Sequence, residues 1–209
     1  MILGQIELGT EYGNFLYNFC KNQSEILTVV EIGTWRGMGS TKCFIQGLMD
    51  SKKEGVSFYS LEINREMYDV ACQCWEGKLP SWAKLIHGSI VGVDEMEVEK
   101  LKSIDSEKIK WFEEDKRCIS SCPNVLDQLP ESIDLLFLDG GGFTTEREFE
   151  KLKDRSMLIA VDDSLCPLKG KKIREIAMQS PDQYEIIIDA PNLRGGMILF
   201  ANKKNCESI

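Results

Sequence analysis

Val29-Val30-Glu31-Ile32-Gly33-Thr34-Trp35-Arg36-Gly37-Met38-Gly39-Ser40 is the stretch that decides how this chain folds. A short β-branched run ends in an acid and enters a glycine-rich turn. From Ser40 to Asp50 the sequence reads as a helix with Phe44, Ile45, Leu48 and Met49 on one face. Strand, glycine turn and helix in this order is how an open α/β sheet builds a nucleotide site. Glycine lets the backbone approach a ligand closely, and the helix N-terminus presents unpaired N–H groups. A tight strand-to-helix connection without a ligand looks the same, so the rest of the chain must decide.

Upstream, Glu11 to Phe19 reads as an amphipathic helix with Thr10 as N-cap, packing on the sheet edge or touching a cofactor through Glu11-Tyr12-Gly13. The spacing predicts strands at Ile26–Gly33, Val56–Glu62, Trp82–His87, Ile133–Asp139, Met157–Asp162, Tyr184–Asp189 and Met197–Ala201. Helices are expected at Met67–Trp75, Glu146–Lys153 and Leu168–Gln179. A charge-rich helical insertion lies around 92–125, broken near Ser103–Ser106. Ile133–Leu138 and Met157–Val161 are near-continuous apolar runs, as strands buried on both faces require. Alternating strands and helices predict a doubly wound, mostly parallel α/β sheet of about seven strands, closed by a C-terminal antiparallel hairpin. The chain of 209 residues suits a single domain.

Composition narrows the function. No apolar run reaches the ~18 residues a membrane span needs, and Met1–Gln5 is not followed by a signal-like apolar segment. The cytoplasm is therefore the default expectation. Thirty-four acidic against 25 basic residues leave a net charge of −9, a poor field for holding a polyanion, so no nucleic-acid partner is expected. The eight cysteines form no Cys-x-x-Cys pair and His87 is the only histidine, which argues against a zinc site and for reduced, mostly buried thiols.

In such sheets ligands bind at the C-terminal ends of the strands. Four of the five parallel strand ends carry a carboxylate there: Glu31, Glu62, Asp139 and the Asp162-Asp163 pair. Glu62 stands about where the acid of dinucleotide folds, ~20 residues beyond the glycine turn, accepts the ribose hydroxyls. His87 reads equally as a satisfied strand end or as a functional group.

The Glu-x-Gly-x-x-x-Gly-x-Gly spacing of residues 31–39 resembles motif I of the class I S-adenosyl-L-methionine (SAM) methyltransferases, which have a Rossmann-like fold. The resemblance covers most of residues 29–201 and implies SAM as cofactor. Its contacts would be Glu31, Gly33, Thr34, Gly37, Ser40, Glu62, Ser89 and Asp139. Asp139, at the end of Leu135–Leu138, and Asp162-Asp163, after Leu158–Val161, resemble the metal site of the magnesium-dependent O-methyltransferases, among them catechol O-methyltransferase and enzymes acting on sugars of macrolides and aminocoumarins. All-oxygen ligation suits Mg2+ or another divalent cation, and a dication relieves the repulsion of three close carboxylates. Leu138–Thr145, Glu148-Phe149 and Val161–Ser164 also look like a group of microbial and viral class I methyltransferases that are generally unassigned or tied loosely to glycan modification.

The expected activity is O-methylation of a small-molecule or glycan hydroxyl, with the metal acidifying and orienting that hydroxyl. The resemblance leaves room for a homodimer. Catechol-type relatives carry a lysine base where this chain has Gly142, and sugar-type relatives often have an Asp at the position of Gly141. Asp139, Lys169 and Glu146 remain as catalytic candidates, with His87 behind them. The rivals are a non-catalytic SAM-binding or interaction protein and an NAD(P)-dependent Rossmann oxidoreductase. The only Tyr-x-x-x-Lys, Tyr17 to Lys21, precedes the glycine turn and cannot serve the latter. The loop Pro191–Gly196 reads as a substrate contact or a plain hairpin end.

Overall fold

Residues 6–103 and 105–206 are described by a computed structural model. Met1–Gln5, on which the expected absence of a signal segment rests, lies outside them, as does Ile104 within the expected break of the insertion. The seven strands are β1 (Thr28–Ile32), β2 (Ser57–Glu62), β3 (Ala83–His87), β4 (Ile133–Leu138), β5 (Ser156–Val161), β6 (Tyr184–Ala190) and β7 (Met197–Asn202). They form one sheet in the order β3-β2-β1-β4-β5-β7-β6, parallel except for β7, which pairs antiparallel with both neighbours. This is the doubly wound arrangement the sequence predicts.

Period-2 alternation sends Val29 to one face of the sheet and Val30 and Ile32 to the other. The first face is covered by α1 (Glu11–Asn22) and α2 (Ser40–Ser51), which bring Tyr12, Leu16, Phe44, Ile45 and Leu48 onto Phe58 and Phe137. The second is covered by α5 (Thr145–Leu152) and α6 (Lys171–Gln179) through Phe149, Leu152, Ile173 and Ala177. α3 (Arg65–Trp75) follows β2, and α4 (Ser106–Ser121) lies in the insertion, behind two 3-10 turns at Val93–Glu95 and Val98–Ser103. A third apolar cluster joins this insertion to the strand-end loops through Met96, Phe112, Ile119, Phe143 and Leu168.

Several boundaries differ from expectation. Thr10 caps α1 as predicted, accepting from the Gly13 N–H, but the helix runs on to Asn22. Met49 is half exposed rather than on the buried face of α2. α3 begins at Arg65 because the Asn64 side chain accepts from the N–H groups of Glu66 and Met67. α6 begins only at Lys171, so Lys169 sits in a loop. All eight cysteines are free thiols. No helix among the described residues is long and apolar enough to cross a membrane.

Candidate active site

Leaving β1, the chain winds outward to β2 and β3, then returns to β4 on the other side of β1. The crevice of the sheet therefore opens between β1 and β4. Backbone pairing continues past the strand ends: Asp139 N–H donates to Ile32 at 2.9 Å, Asp162 N–H to Leu138 at 3.0 Å, and Gly33 N–H to Leu61 at 2.9 Å. The tips of four strands are thus held in line. Gly33 has φ +105°, and a β-carbon there would lie 2.4 Å from the Asp139 carbonyl oxygen. The positive φ and this close approach both require glycine.

A cavity of about 590 Å³ occupies the crevice, within the range that takes a cofactor-sized ligand. The glycine turn with Thr34 and Ser40, the β2 tip at Glu62, Gly88-Ser89 after β3 and Asp139–Gly141 after β4 all line it. The α4 face with Trp111 and Asp115 closes one side, and Arg194 reaches in from the β6–β7 loop.

Glu31 does not line this cavity. Alternation points it at α2, where it is fully buried and accepts from Ser40 Oγ (2.6 Å), Thr41 Oγ1 (2.7 Å) and Ser60 Oγ (2.5 Å). It pins the first turn of α2 to β2. Burial pushes its pKa up to about 7 against the pull of those hydroxyls. Thr34 shares a hydrogen bond with Ser60 in the same network. Gly37, expected as a SAM contact, does not line the cavity either: at φ +69° it packs against Ala71 and Trp75 and accepts from the Trp75 indole through its carbonyl.

Glu62 is at the cavity wall and accepts backbone N–H groups from Trp35 (2.7 Å) and Asn64 (2.9 Å), one on each oxygen. Beyond these N–H groups the carboxylate keeps acceptor capacity for a ligand. Burial again dominates and lifts its pKa to about 7. The Ser89 hydroxyl is spent on a turn, donating to the Val91 carbonyl and accepting from its N–H.

Beyond Asp139 the site turns acidic. Asp139, Asp162 and Asp163 each offer a carboxylate oxygen, all within 4.8 Å of one another. Asp162 is fully buried; its pKa is pushed up to about 8 by burial first and Asp139 next. The three acids are not left bare. Lys169 Nζ lies 2.9 Å from both Asp139 Oδ1 and Asp163 Oδ2, and Arg194 Nη1 lies 2.6 Å from Asp162 Oδ2. Asp139 and Asp163 hold the Lys169 ammonium well above its ordinary pKa, overcoming burial. Arg194 is positioned by a loop docked on the acid turn: Ser164 N–H donates to Gly196 and Leu165 N–H to Gly195. Asp162 Oδ1 and the Tyr12 hydroxyl are both buried and neither makes a well-formed hydrogen bond; burial first, then Asp162 beside it, holds the Tyr12 phenol well above its ordinary pKa.

The structure thus gathers Gly33, Thr34, Ser40, Glu62, Ser89 and Asp139 around one cavity, and Asp139, Asp162, Asp163 and Lys169 at its edge. It separates Glu146, which pairs with Lys100 (2.9 Å) and Lys172 (2.8 Å) and does not line the cavity. His87 lies outside the cavity against the Tyr68 ring. Sequence reasoning gave no site role to two groups and named a third only within its loop. Glu148 is buried in the cavity floor with one oxygen unpartnered and its pKa pushed up by burial to about 8. Its signal was a glutamate on the apolar stripe of α5, between Thr145 and Leu152. Asp115, raised by burial to about 7, is hidden among the charges of α4, and Arg194 belongs to the Pro191–Gly196 loop, read from sequence as a substrate contact or a hairpin end without singling out the arginine.

Neither a protein-family model nor a curated protein matches the sequence. Solved structures do. A Podospora anserina methyltransferase with SAH bound matches with a TM-score of 0.62 and 16% identity, over 91% of this chain and 77% of its own. An O-methyltransferase from Bacillus cereus in complex with SAH matches with a TM-score of 0.62 and 16% identity, over 96% and 84%. An O-methyltransferase of tomaymycin synthesis from Streptomyces achromogenes, in complex with SAM, matches at 0.58 and 14%, over 93% and 82%. In strand order, crevice and these likenesses, the chain has the Rossmann-like fold of the class I SAM-dependent methyltransferases.

Proposed function

We propose that this protein is a SAM-dependent methyltransferase acting on a hydroxyl group of a small molecule or glycan, as one catalytic domain. The observation that carries the reading is the continuity of the cofactor-sized cavity with the three-acid cluster. The glycine turn and Glu62 bind a nucleoside cofactor, and the acids at the end of the same crevice receive the group to be methylated.

In this reading Gly33, Thr34 and Ser40 give the methionine end of SAM a close backbone surface, which Glu31 and Gly37 support from behind. Glu62 accepts the ribose hydroxyls, and Gly88-Ser89 borders the base. The donor set fits a hard dication: three carboxylates converge, and one buried oxygen of Asp162 stays unmatched. Asp139, Asp162 and Asp163 would hold it, and when bound it acidifies and orients the acceptor hydroxyl. With Asp139 and Asp163 on it, Lys169 is an ammonium and accepts no proton; it holds those two acids in place. Glu146 is committed to Lys100 and Lys172, which leaves Asp139 as the catalytic candidate that faces the cavity. Fixing acceptor oxygen, methyl carbon and sulfur in line supplies much of the rate in such a displacement.

Calorimetry with SAM and with NAD+ tests the cofactor: SAM binds and NAD+ does not. Methyl transfer to a panel of phenols and sugars, with Mg2+ or with EDTA, tests the reaction. NAD+ binding without SAM binding overturns the proposal, and turnover untouched by both EDTA and Asp139→Ala removes its metal part.

A further inference from the structure

Fully ionised, as a bound cation requires, the acid cluster carries three negative charges, and the chain itself brings two positive ones to it. They are not equivalent. Lys169 touches two of the three acids at 2.9 Å each. Arg194 binds Asp162 through Oδ2 at 2.6 Å and is 3.9 Å from Asp163. Its contact with Asp162 leaves Oδ1 of that buried residue open, next to the equally unpartnered Tyr12 hydroxyl, which is only 3% exposed. Asp162 Oδ1, on the turn after β5, and the Tyr12 hydroxyl, on α1, thus lie buried together with no well-formed hydrogen bond to either, and only each other as neighbours to share one. Leaving such atoms unmatched is costly, so the spot is built for something besides Arg194.

Counting charge shows which side chain must move. With Asp162 deprotonated along with Asp139 and Asp163, three carboxylates and both cations sum to −1. Adding a dication without displacement gives +1 in a buried place, whereas the departure of one cation returns the site to neutrality. Lys169 bridges Asp139 and Asp163, filling the gap between them that a shared ion would take. Arg194 makes its short contact with Asp162 alone, whose Oδ1 it leaves open.

We propose that Lys169 is a tethered competitor of the divalent cation, occupying its place among Asp139, Asp162 and Asp163 until the ion arrives, while Arg194 stays and orients Asp162 for it. This rests on the metal part of the function proposed above. Cation affinity is then set by a side chain of the β5–α6 loop, and loading the site releases that side chain into the crevice.

The test reads Mn2+ binding by the full chain directly, from the electron paramagnetic resonance signal of the free ion, so it does not depend on turnover. Lys169→Met binds Mn2+ about tenfold or more tighter than the unaltered protein, because a neutral side chain no longer competes. Lys169→Arg keeps the weak affinity, and Arg194→Met shows no gain. Lys169→Met binding no tighter than the unaltered protein overturns the inference but leaves the metal site standing. Absence of Mn2+ binding in the protein and in Lys169→Met alike overturns both. Should Lys169→Met fail to fold, acetic anhydride labelling of the unaltered protein decides. Mass spectrometry then shows Lys169 acetylation rising severalfold with Mn2+ while exposed Lys171 stays constant; no rise overturns the inference.

Discussion

Glu148 shows how much one side chain in the cavity floor decides. Its pKa is pushed up to about 8 because burial penalises the charged form more than the Thr144 hydroxyl favours it. A folded-state value above the unfolded one means a contribution to stability that is complete below the unfolded pKa and lost as pH rises through about 8. Glu148→Gln keeps the shape and removes the ionisation. Against the unaltered protein the variant should gain on the order of 2–3 kcal/mol between about pH 5 and about pH 9, read from denaturant midpoints. A difference that does not vary with pH would refute the buried-acid account. Glu31 makes the contrasting case, since three hydroxyls depend on it. Glu31→Ala leaves them unpaired around a cavity and should cost about 3–5 kcal/mol. The same variant should weaken SAM binding only through the slackened turn, because Glu31 itself does not line the crevice.

At the scale of elements, Lys100 ties three segments together. Its Nζ donates to Glu97 (2.6 Å), to the Leu168 carbonyl (2.8 Å) and to the Gly142 carbonyl (3.2 Å), and pairs with Glu146 (2.9 Å). The insertion is thereby fastened to the loop after Asp139 and to the loop carrying Lys169. Lys100→Met strands the buried carboxylate of Glu97 and should destabilise by about 3–5 kcal/mol. Hydrogen exchange should quicken first in 97–103, 140–144 and 165–170 while the central strands stay protected; uniform quickening would mean that the latch is not local. The same elements show what the sequence discloses. β4 and β5 are legible because strands buried on both faces must be apolar along their whole length, and their terminal acids stand out against that run. The Lys100 network is not legible, because its members are scattered over more than forty positions and each looks like a solvated charge. Arg194 escapes for a related reason: a loop docked on the Asp163 turn carries it in, and no periodicity encodes that docking.

For the whole molecule, strand order places the crevice, and the crevice collects charge. Glu62, Glu114, Asp115, Asp139 and Glu148 line it, against Arg36 and Arg194, in a chain of net charge −9. The fold and the rim of carboxylates could be read from sequence, since the strand ends of an open sheet converge on one edge. The balance of the cavity could not, because α4, α5 and the β6–β7 loop deliver their charges only through tertiary packing. That balance bears on the cofactor. SAM carries one more positive charge than SAH, on its sulfonium, and every other ionisable group is shared. An acidic crevice should hold SAM more tightly than SAH, and transfer of the methyl group would then weaken the grip on what remains. The preference is electrostatic, so it should shrink with salt as the screening length falls from ~20 Å near ~20 mM to ~4 Å near ~500 mM. Calorimetry across that range should show SAM affinity dropping severalfold while SAH affinity stays nearly level. Parallel salt dependence for the two would mean that the acids of the crevice do not sense the sulfonium, with Arg36, Arg194 and protonation of the buried carboxyls already having cancelled their field.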